Sequence, residues 1–332
     1  MKKVIKNASR WLLPLIIAAV ILFCMYRDFD FRGTWELLTG GTNLLWLFVS
    51  LAFIILSHYL RGIRWLLTLE PIHYRPRPVN SVLSIFIAYA SNILVPRVGE
   101  ISRCGVLAKY DGIPFSKSLG TLVAERIVDF LLAALIFVVT FACQSGKLFS
   151  FFDKTGTRSD KFLSLLENPW FYTAIAAAVL LAILIRLLFK RSKSTAVTKT
   201  KNALGNFIEG LASLKNVKRP ALFILYTLLI WLCYYLEFYI CFYSFSFTST
   251  LGPVAAAVIF AAINVAVIVP TPNGAGPWHF VVITLLGMYG VAEAEAGSFA
   301  LIVHTFQSMS VLLFGLTAWI LLQLINRKHH EN

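Results

Sequence analysis

Several charged residues of this chain lie inside apolar stretches, where a charge is expensive unless it is paired or hydrated. Arg61 and Arg64 stand one helical turn apart in one such stretch. Glu125, Arg126 and Asp129 lie together in another, and their spacing places the two acids on one face of a helix, with Arg126 in reach of Asp129. These residues predict either a structural network of ion pairs or a site where an arginine remains available to an anion such as a phosphate.

A break in the apolar run at 92–100 adds further charges. Pro96 and Gly99 interrupt this run, because proline removes a backbone donor and glycine favours unusual backbone angles. Exposed backbone amides at the start of a half-helix, with arginines beside them, form a suitable cradle for a phosphate. The candidate residues at this break are Asn92, Arg97, Glu100 and Arg103.

A second apolar run breaks at 264–277 and carries no charge. It would contribute backbone groups and a flexible turn, and its candidate residues are Pro270, Pro272, Asn273, Gly274 and Gly276. Paired interruptions in the two halves of a membrane protein are a sequence sign of a transport site between them. A simple turn at the membrane surface is the alternative interpretation of the second break.

The composition predicts an all-α polytopic membrane protein. The 332 residues are 58% hydrophobic and 14% charged, with a mean hydropathy of +0.75, and long apolar runs recur along the chain. The net charge of +14 is concentrated in short loops beside the apolar runs, which indicates cytoplasmic loops rather than nucleic-acid binding. The five cysteines show no metal-type spacing, and no cofactor or metal is expected.

The apolar runs predict about six full spans in one integral membrane domain, 1–332. The expected crossings are 11–26, which we interpret as a retained first span, and 44–66, 117–143, 170–189, 220–245 and 298–325. The distribution of lysine and arginine places both termini in the cytoplasm. The stretches 79–117 and 252–296 would then be re-entrant helical hairpins that enter from opposite surfaces. The result would be an inverted pseudo-repeat, with halves at roughly 44–143 and 220–325. The alternative is that one or both stretches cross fully, giving eight or more spans.

A basic segment at 190–219 connects the two predicted halves. Nine lysines and arginines in 186–219 face a single acid, Glu209, which predicts a cytoplasmic location. Within it, apolar residues recur at helical spacing between lysines at 199–217. We therefore expect an amphipathic helix that lies on the inner membrane surface.

The chain resembles the flippase-like transmembrane region of bacterial lysylphosphatidylglycerol synthases and their stand-alone relatives. The matching strings occur in order at 61–65, 92–103, 125–129 and 270–276. The resemblance implies an integral membrane protein that moves a lipid between leaflets, and in the synthases this region works on lysyl- or alanyl-phosphatidylglycerol. The aminoacyltransferase domain of the full synthases is absent from this sequence.

The chain departs from the family pattern at two positions, His279 and His304, where relatives usually carry Glu and Arg. If these positions pair in relatives, two imidazoles replace the pair here. They would bond to each other, pack against their surroundings or titrate near neutral pH. Zinc binding would need more ligands than the sequence offers.

The leading hypothesis is translocation of an anionic or aminoacylated phospholipid, or a related lipid-linked molecule, between the leaflets of the bacterial inner membrane. The sequence has no nucleotide-binding GxxxxGK[ST] motif, so an attached ATPase is not expected. The phosphate would bind near Arg97 and Arg103. The expected substrate-binding residues are Arg61, Arg64, Asn92, Arg97, Glu100, Arg103, Glu125, Arg126, Asp129, Pro270, Pro272, Asn273, Gly274, Gly276, His279 and His304.

Three alternatives stay open. Arg61 and Arg64 would be surface anchors if Trp65 lay at the membrane interface. An enzyme that uses a lipid-linked donor, such as a glycosyl- or phosphotransferase, would need Glu100, Glu125 or Asp129 in a water-filled opening. A scaffold would hold a lipid-modifying synthase through the basic helix at 199–217. The sequence also leaves open a homo-oligomer, and no nucleic-acid partner is expected.

Overall fold

The computed structural model describes residues 16, 19–27, 29–144, 146, 173 and 195–327. In these residues every regular element is a helix. The predicted crossing at 170–189 lies outside the described residues except for position 173. Of the first predicted crossing, residues 11–15, 17 and 18 also lie outside them. Residues 190–194, at the beginning of the predicted linker, also lie outside the described residues.

Ten helices and a few short turns make up most of the described chain. After a helical stretch at 19–26, the helices are α1 Phe31–Glu36, α2 Leu44–Leu69, α3 Pro78–Leu94, α4 Val98–Tyr110, α5 Phe115–Cys143, α6 Thr195–Ala212, α7 Pro220–Ile240, α8 Pro253–Ala266, α9 Pro277–Met288 and α10 Glu293–Arg327. Within the described residues, three segments are long and apolar enough to cross a membrane: Leu44–Ile72, Pro220–Ser244 and Glu293–Arg327. These observations confirm an all-α polytopic membrane protein, while the number of crossings stays a prediction.

Proline sets the starts of four of these helices. Pro78, Pro220, Pro253 and Pro277 are the first residues of α3, α7, α8 and α9. Proline is favoured there because the first helical N–H has no partner within the helix in any case. At the other end of α3, Val95 is extended because the following residue is a proline, and the helix stops.

Each predicted break forms a helical hairpin with short arms. α3 and α4 have 17 and 13 residues, and α8 and α9 have 14 and 12. At a rise of about 1.5 Å per residue the arms are about 18–25 Å long. A helix needs about 20 residues to cross the hydrocarbon core. Each arm is therefore shorter than a typical full crossing, and the re-entrant arrangement stays a prediction.

The long helix α10 shows how the first hairpin is oriented. Asn326 near its end donates to Asn80 near the start of α3 at 3.0 Å. One side of Gly315 lies against the backbone carbonyl of Phe86, further along α3. α3 and α10 are therefore antiparallel, and the first hairpin extends from the C-terminal end of α10 toward its middle.

The second hairpin extends along α10 from the other end. α9 ends shortly before α10 begins, and at the tip of the hairpin Asn273 donates to Ser308, near the middle of α10, at 2.7 Å. The two tips meet there, where Arg97 Nη2 donates to the carbonyl oxygen of Ile268 at 3.2 Å. The hairpins thus approach from opposite ends of α10, which is the arrangement that inverted halves require. The half-repeats at 44–143 and 220–325 themselves stay a prediction.

The helix expected in the basic linker is present as α6, and it packs on α5. Gly120 of α5 and Gly210 of α6 face each other so closely that a Cβ on either would collide with the other helix. Lys117 and Glu209 form an ion pair of 2.9 Å at the same interface. Leu204 is exposed on α6. The helix therefore offers one face to α5 and an apolar side chain to its surroundings.

Three apolar clusters hold the helices around the hairpins, and the smallest joins Leu60 of α2 to Ile230 and Cys233 of α7. The largest one joins α7, α8, α9 and α10 through aromatic rings such as Phe242 and Phe299, whose centroids are 5.5 Å apart. The second surrounds the fully buried Trp65 and joins α2, α3, α4 and α5. The charged residues singled out in the sequence lie beside these apolar clusters.

Candidate functional site

The charged residues of α2 and α5 form a buried cluster. Arg64 Nη1 contacts Asp129 Oδ1 at 2.8 Å, and Arg64 Nε lies 3.4 Å from Glu125 Oε1. Arg61 also pairs with Asp129. The helical spacing seen in the sequence produces this geometry, because both arginines share one face of α2 and both acids share one face of α5.

The second arm of the first hairpin completes the cluster. Arg103 Nη2 contacts Glu125 Oε2 at 2.8 Å, and Arg126 Nε lies 2.9 Å from Glu100 Oε1. Arg126 Nη1 also lies 3.6 Å from Asp129 Oδ2. Residues from α2, α4 and α5 are thus joined in one network, which we call the charged cluster: Arg61, Arg64, Arg103, Arg126, Glu100, Glu125 and Asp129.

The burial of Trp65 excludes the alternative in which Arg61 and Arg64 anchor the protein at the membrane surface. Trp65 is fully buried and donates through Nε1 to Thr121 Oγ1 at 2.9 Å. The guanidinium carbon of Arg103 lies over the Trp65 ring, 4.2 Å from the ring centroid. A ring in this position supports the cluster through cation–π attraction.

The charged cluster has one positive charge in excess, since four arginines face three carboxylates. Burying an ion is costly unless a partner of opposite charge compensates. Arg126 is the least buried of the four, with 38% of its side chain exposed against 2% or less for Arg61, Arg64 and Arg103. Arg126 is therefore the arginine best placed to meet an anion from outside the cluster.

The first break does not bring Arg97 and Arg103 to one site. Arg103 is buried against Glu125, whereas Arg97 is exposed at the hairpin tip and contacts the second hairpin. Arg97 has a left-handed backbone conformation, with φ 64°, and begins α4. Asn92 Oδ1 accepts from Gly99 N at 2.8 Å, which occupies one of the amides at the start of α4. Asn92 thus closes the hairpin.

The second break is a tight turn fastened to α10. Asn273 has φ 49°, and Gly274 and Gly276 also have positive φ, so Pro270 and Pro272 lead into a turn that needs glycine. His304 Nε2 donates to the carbonyl oxygen of Asn273 at 3.1 Å. The turn can therefore hold a fixed position against α10.

The two histidines at which the sequence was expected to depart from the family pattern are neighbours. The ring centroids of His279 and His304 are 4.5 Å apart. Their ring nitrogens bind the backbone of the break instead of each other, since His279 Nδ1 accepts from Gly276 N at 3.4 Å and His304 binds Asn273. The described residues contain no group of three or more potential metal ligands.

A cavity of about 640 Å³ lies between the charged cluster and the second hairpin. Arg61, Arg126 and Asp129 reach its surface from the charged cluster. Asn273 and His304 reach it from the second break and α10. Much of the remaining lining is apolar, including Phe130, Ala133, Phe260 and Val311. A cavity of this kind suits a polar headgroup attached to an apolar tail.

The lining residues that were not predicted from the sequence include Tyr89, Tyr234 and Glu237. Arg61 Nη1 donates to Tyr89 Oη at 3.0 Å, and the hydroxyls of Tyr89 and Tyr234 are 2.6 Å apart. Glu237, one turn beyond Tyr234 on α7, also lines the cavity. Tyrosines in an apolar run give no distinct signal of a site. Glu237, in contrast, is the lone acid in the apolar run 220–245, and this signal is visible in the sequence.

Comparison with known proteins adds one finding. The sequence model of a protein family described as Lysylphosphatidylglycerol synthase TM region matches residues 11–315. The match includes both hairpins and every residue of the charged cluster. No curated protein matches the chain.

Proposed function

This chain belongs to the family of lysylphosphatidylglycerol synthase transmembrane regions, and we propose that it moves a phospholipid, anionic or aminoacylated, between the two leaflets of a bacterial inner membrane. The family membership itself indicates a membrane function related to lipids. The step from that function to translocation rests on the geometry of the cavity.

The observation that carries the proposal is the excess positive charge beside a partly open amphipathic cavity. A lipid phosphate in the cavity of about 640 Å³ would meet Arg126, the most exposed arginine of the charged cluster. Arg61 would strengthen the field there, and the carboxylates would keep the guanidiniums in position. The apolar lining would accept the part of the lipid next to its headgroup.

The two hairpins are the elements whose movement would open the cavity to one membrane surface and then to the other. At their tips, Arg97 Nη2 donates a hydrogen bond to Ile268 O at 3.2 Å. Short arms that end inside the protein can shift without crossing the bilayer, which is how broken helices operate in many transporters. We place both termini in the cytoplasm, as the distribution of basic residues predicts.

Transport is favoured over a reaction with a lipid-linked donor. The three acids that such an enzyme would use, Glu100, Glu125 and Asp129, each form an ion pair with an arginine. A carboxylate held by a guanidinium is a weak base, because the pair stabilises its ionised form. A lipid-modifying enzyme remains a partner that we would expect rather than an activity of this chain.

Purified protein in liposomes with fluorescent acyl-labelled phospholipids tests the proposal. A membrane-impermeant quencher reports how much label moves between leaflets. Arg126→Gln should lower the rate about tenfold, since a charge-assisted hydrogen bond to a phosphate is worth about 1.5–3 kcal/mol. Arg32→Gln is the control, because the Arg32 side chain is 90% exposed and pairs with Glu36 at 3.2 Å, away from the cavity. Equal rates for wild type and Arg126→Gln would contradict the proposal.

A further inference from the structure

Glu237 is an acid without a cationic partner in the part of the chain that the structure describes. It lies near the end of the apolar helix α7 and lines the cavity of about 640 Å³. The other acids at or near the cavity, Asp129 and Glu100, both pair with arginines. A lone carboxylate in an apolar helix is expensive, and such residues generally face a cavity and serve a ligand.

The position of Glu237 relates it to the charged cluster. Residues of α7 contact the arginines of α2. For example, Thr227 accepts from Arg64 Nη1 at 3.0 Å, and the Tyr234 ring lies 5.8 Å from the Arg61 guanidinium. Glu237 follows Tyr234 by one turn, a rise of about 4.5 Å. The cavity thus offers positive charge and, about one helical turn along α7, a negative charge.

The charges of the cavity wall also have a definite balance. The charged cluster carries one positive charge in excess, and Glu237 adds one negative charge when it is ionised. A headgroup with one phosphate and one ammonium would neutralise both. A headgroup with phosphate alone would leave Glu237 unpaired in a largely apolar space, which is unfavourable.

We infer that Glu237 binds the ammonium group of the transported lipid, so that the cavity selects a zwitterionic phospholipid with one phosphate and one primary amine. This inference rests on the transport activity proposed above. Phosphatidylethanolamine and alanyl-phosphatidylglycerol both have this chemistry. Phosphatidylglycerol lacks the amine, and lysyl-phosphatidylglycerol carries a second one.

Transport of four acyl-labelled lipids by the same protein tests the inference. Wild type should move phosphatidylethanolamine, alanyl-phosphatidylglycerol or both about tenfold faster than phosphatidylglycerol and lysyl-phosphatidylglycerol. Phosphatidylglycerol would leave Glu237 without a partner, and lysyl-phosphatidylglycerol would bring a second ammonium without one, and an unpaired buried charge typically costs at least one factor of ten. The two zwitterionic lipids differ in headgroup size, and their relative transport rates identify which of the two lipids supplies the amine that Glu237 binds.

Variants of Glu237 assign the preference to this residue. Glu237→Gln should abolish the preference for the amine, whereas Glu237→Asp keeps the charge and should retain it. Glu295→Gln is the matched control, because Glu295 is exposed in the first turn of α10. Because the readout is a ratio of rates for one protein sample, a general loss of folded protein does not change it.

The outcomes separate this inference from the proposed function. Transport of all four lipids at equal rates, or an unchanged preference in Glu237→Gln, would overturn the role of Glu237 and leave translocation standing. Movement of none of the four lipids by wild type would overturn both.

Discussion

Asp129 is the acid on which most of the charged cluster depends. Arg61 and Arg64 both pair with it, and Arg126 lies 3.6 Å from the same carboxylate. Since these arginines belong to two helices, Asp129 joins α2 to α5 through charge. Its removal would leave guanidiniums buried without compensation, which is more damaging than the loss of an exposed pair.

Asp129→Asn should therefore destabilise the folded protein by about 3–5 kcal/mol, the usual effect of removing one partner of a buried ion pair. The midpoint of thermal unfolding in detergent measures this effect. Asp30→Asn carries the same substitution at an exposed helix start, where Asp30 Oδ1 accepts from Gly33 N at 2.9 Å. Asparagine caps helices as well as aspartate does, so this control should unfold at the wild-type temperature. An unchanged midpoint in Asp129→Asn would show that the cluster does not hold the helices together.

At this scale the sequence was informative where spacing alone decides which side chains meet. Charges one turn apart in apolar runs predicted that Arg61, Arg64, Glu125 and Asp129 would face a common site, and they do. The separation of Arg97 from Arg103 was not predictable, because it depends on how α4 packs after the turn. The roles of Tyr89 and Tyr234 depend on contacts between distant helices, for which the sequence has no local signal.

At the scale of elements, close packing between the arms defines the first hairpin. Gly99 at the start of α4 lies directly against the Ala88 carbonyl of α3, and a Cβ there would also lie 2.8 Å from Asn92 Oδ1. The missing side chain thus allows α3 and α4 to approach each other. Proline and glycine predicted both breaks correctly, since their backbone effects are local.

Gly99→Ala should force the hairpin arms apart and lower the unfolding midpoint, with an expected cost of about 1–3 kcal/mol for overpacking. Gly105→Ala in the same helix is the matched control, because nothing lies within 4 Å of a Cβ at Gly105. That change should leave stability unchanged or raise it by up to about 1 kcal/mol, the usual gain for alanine over glycine in a helix. If both variants unfold alike, close packing at Gly99 does not matter.

The linker helix α6 shows that the sequence can predict a helix without predicting what its apolar face contacts. Helical spacing between lysines predicted α6, and the helix is present at Thr195–Ala212. The sequence suggested a helix that rests on the lipid surface, which stays a prediction, and the structure packs its Gly210 face on α5. Amphipathicity shows that one face needs an apolar neighbour, but it does not distinguish lipid from protein.

At the scale of the whole molecule, the account depends on two hairpins that enter from opposite ends of α10 and border one cavity. Basic loops and the two breaks predicted opposed hairpins, and the contacts of Asn80 with Asn326 and of Asn273 with Ser308 agree with that orientation. The shape of the cavity could not be predicted, because it depends on the packing of seven helices. The position of the membrane around it stays a prediction.

A change of volume, without any change of charge, tests the central claim most directly. Ala133 on α5 lines the cavity, whereas its neighbour Ala134 is exposed on another face of the helix. Ala133→Trp would fill part of the space of about 640 Å³ that a headgroup needs. Ala134→Trp adds the same ring outside the cavity.

The decisive measurement is the rate of lipid movement between leaflets for these two variants and wild type, at matched amounts of folded protein. We predict that Ala133→Trp slows transport about tenfold or more, as expected if overpacking of about 1–3 kcal/mol opposes headgroup binding. Ala134→Trp should transport at the wild-type rate. Transport by Ala133→Trp at the wild-type rate would show that the lipid does not pass through this cavity.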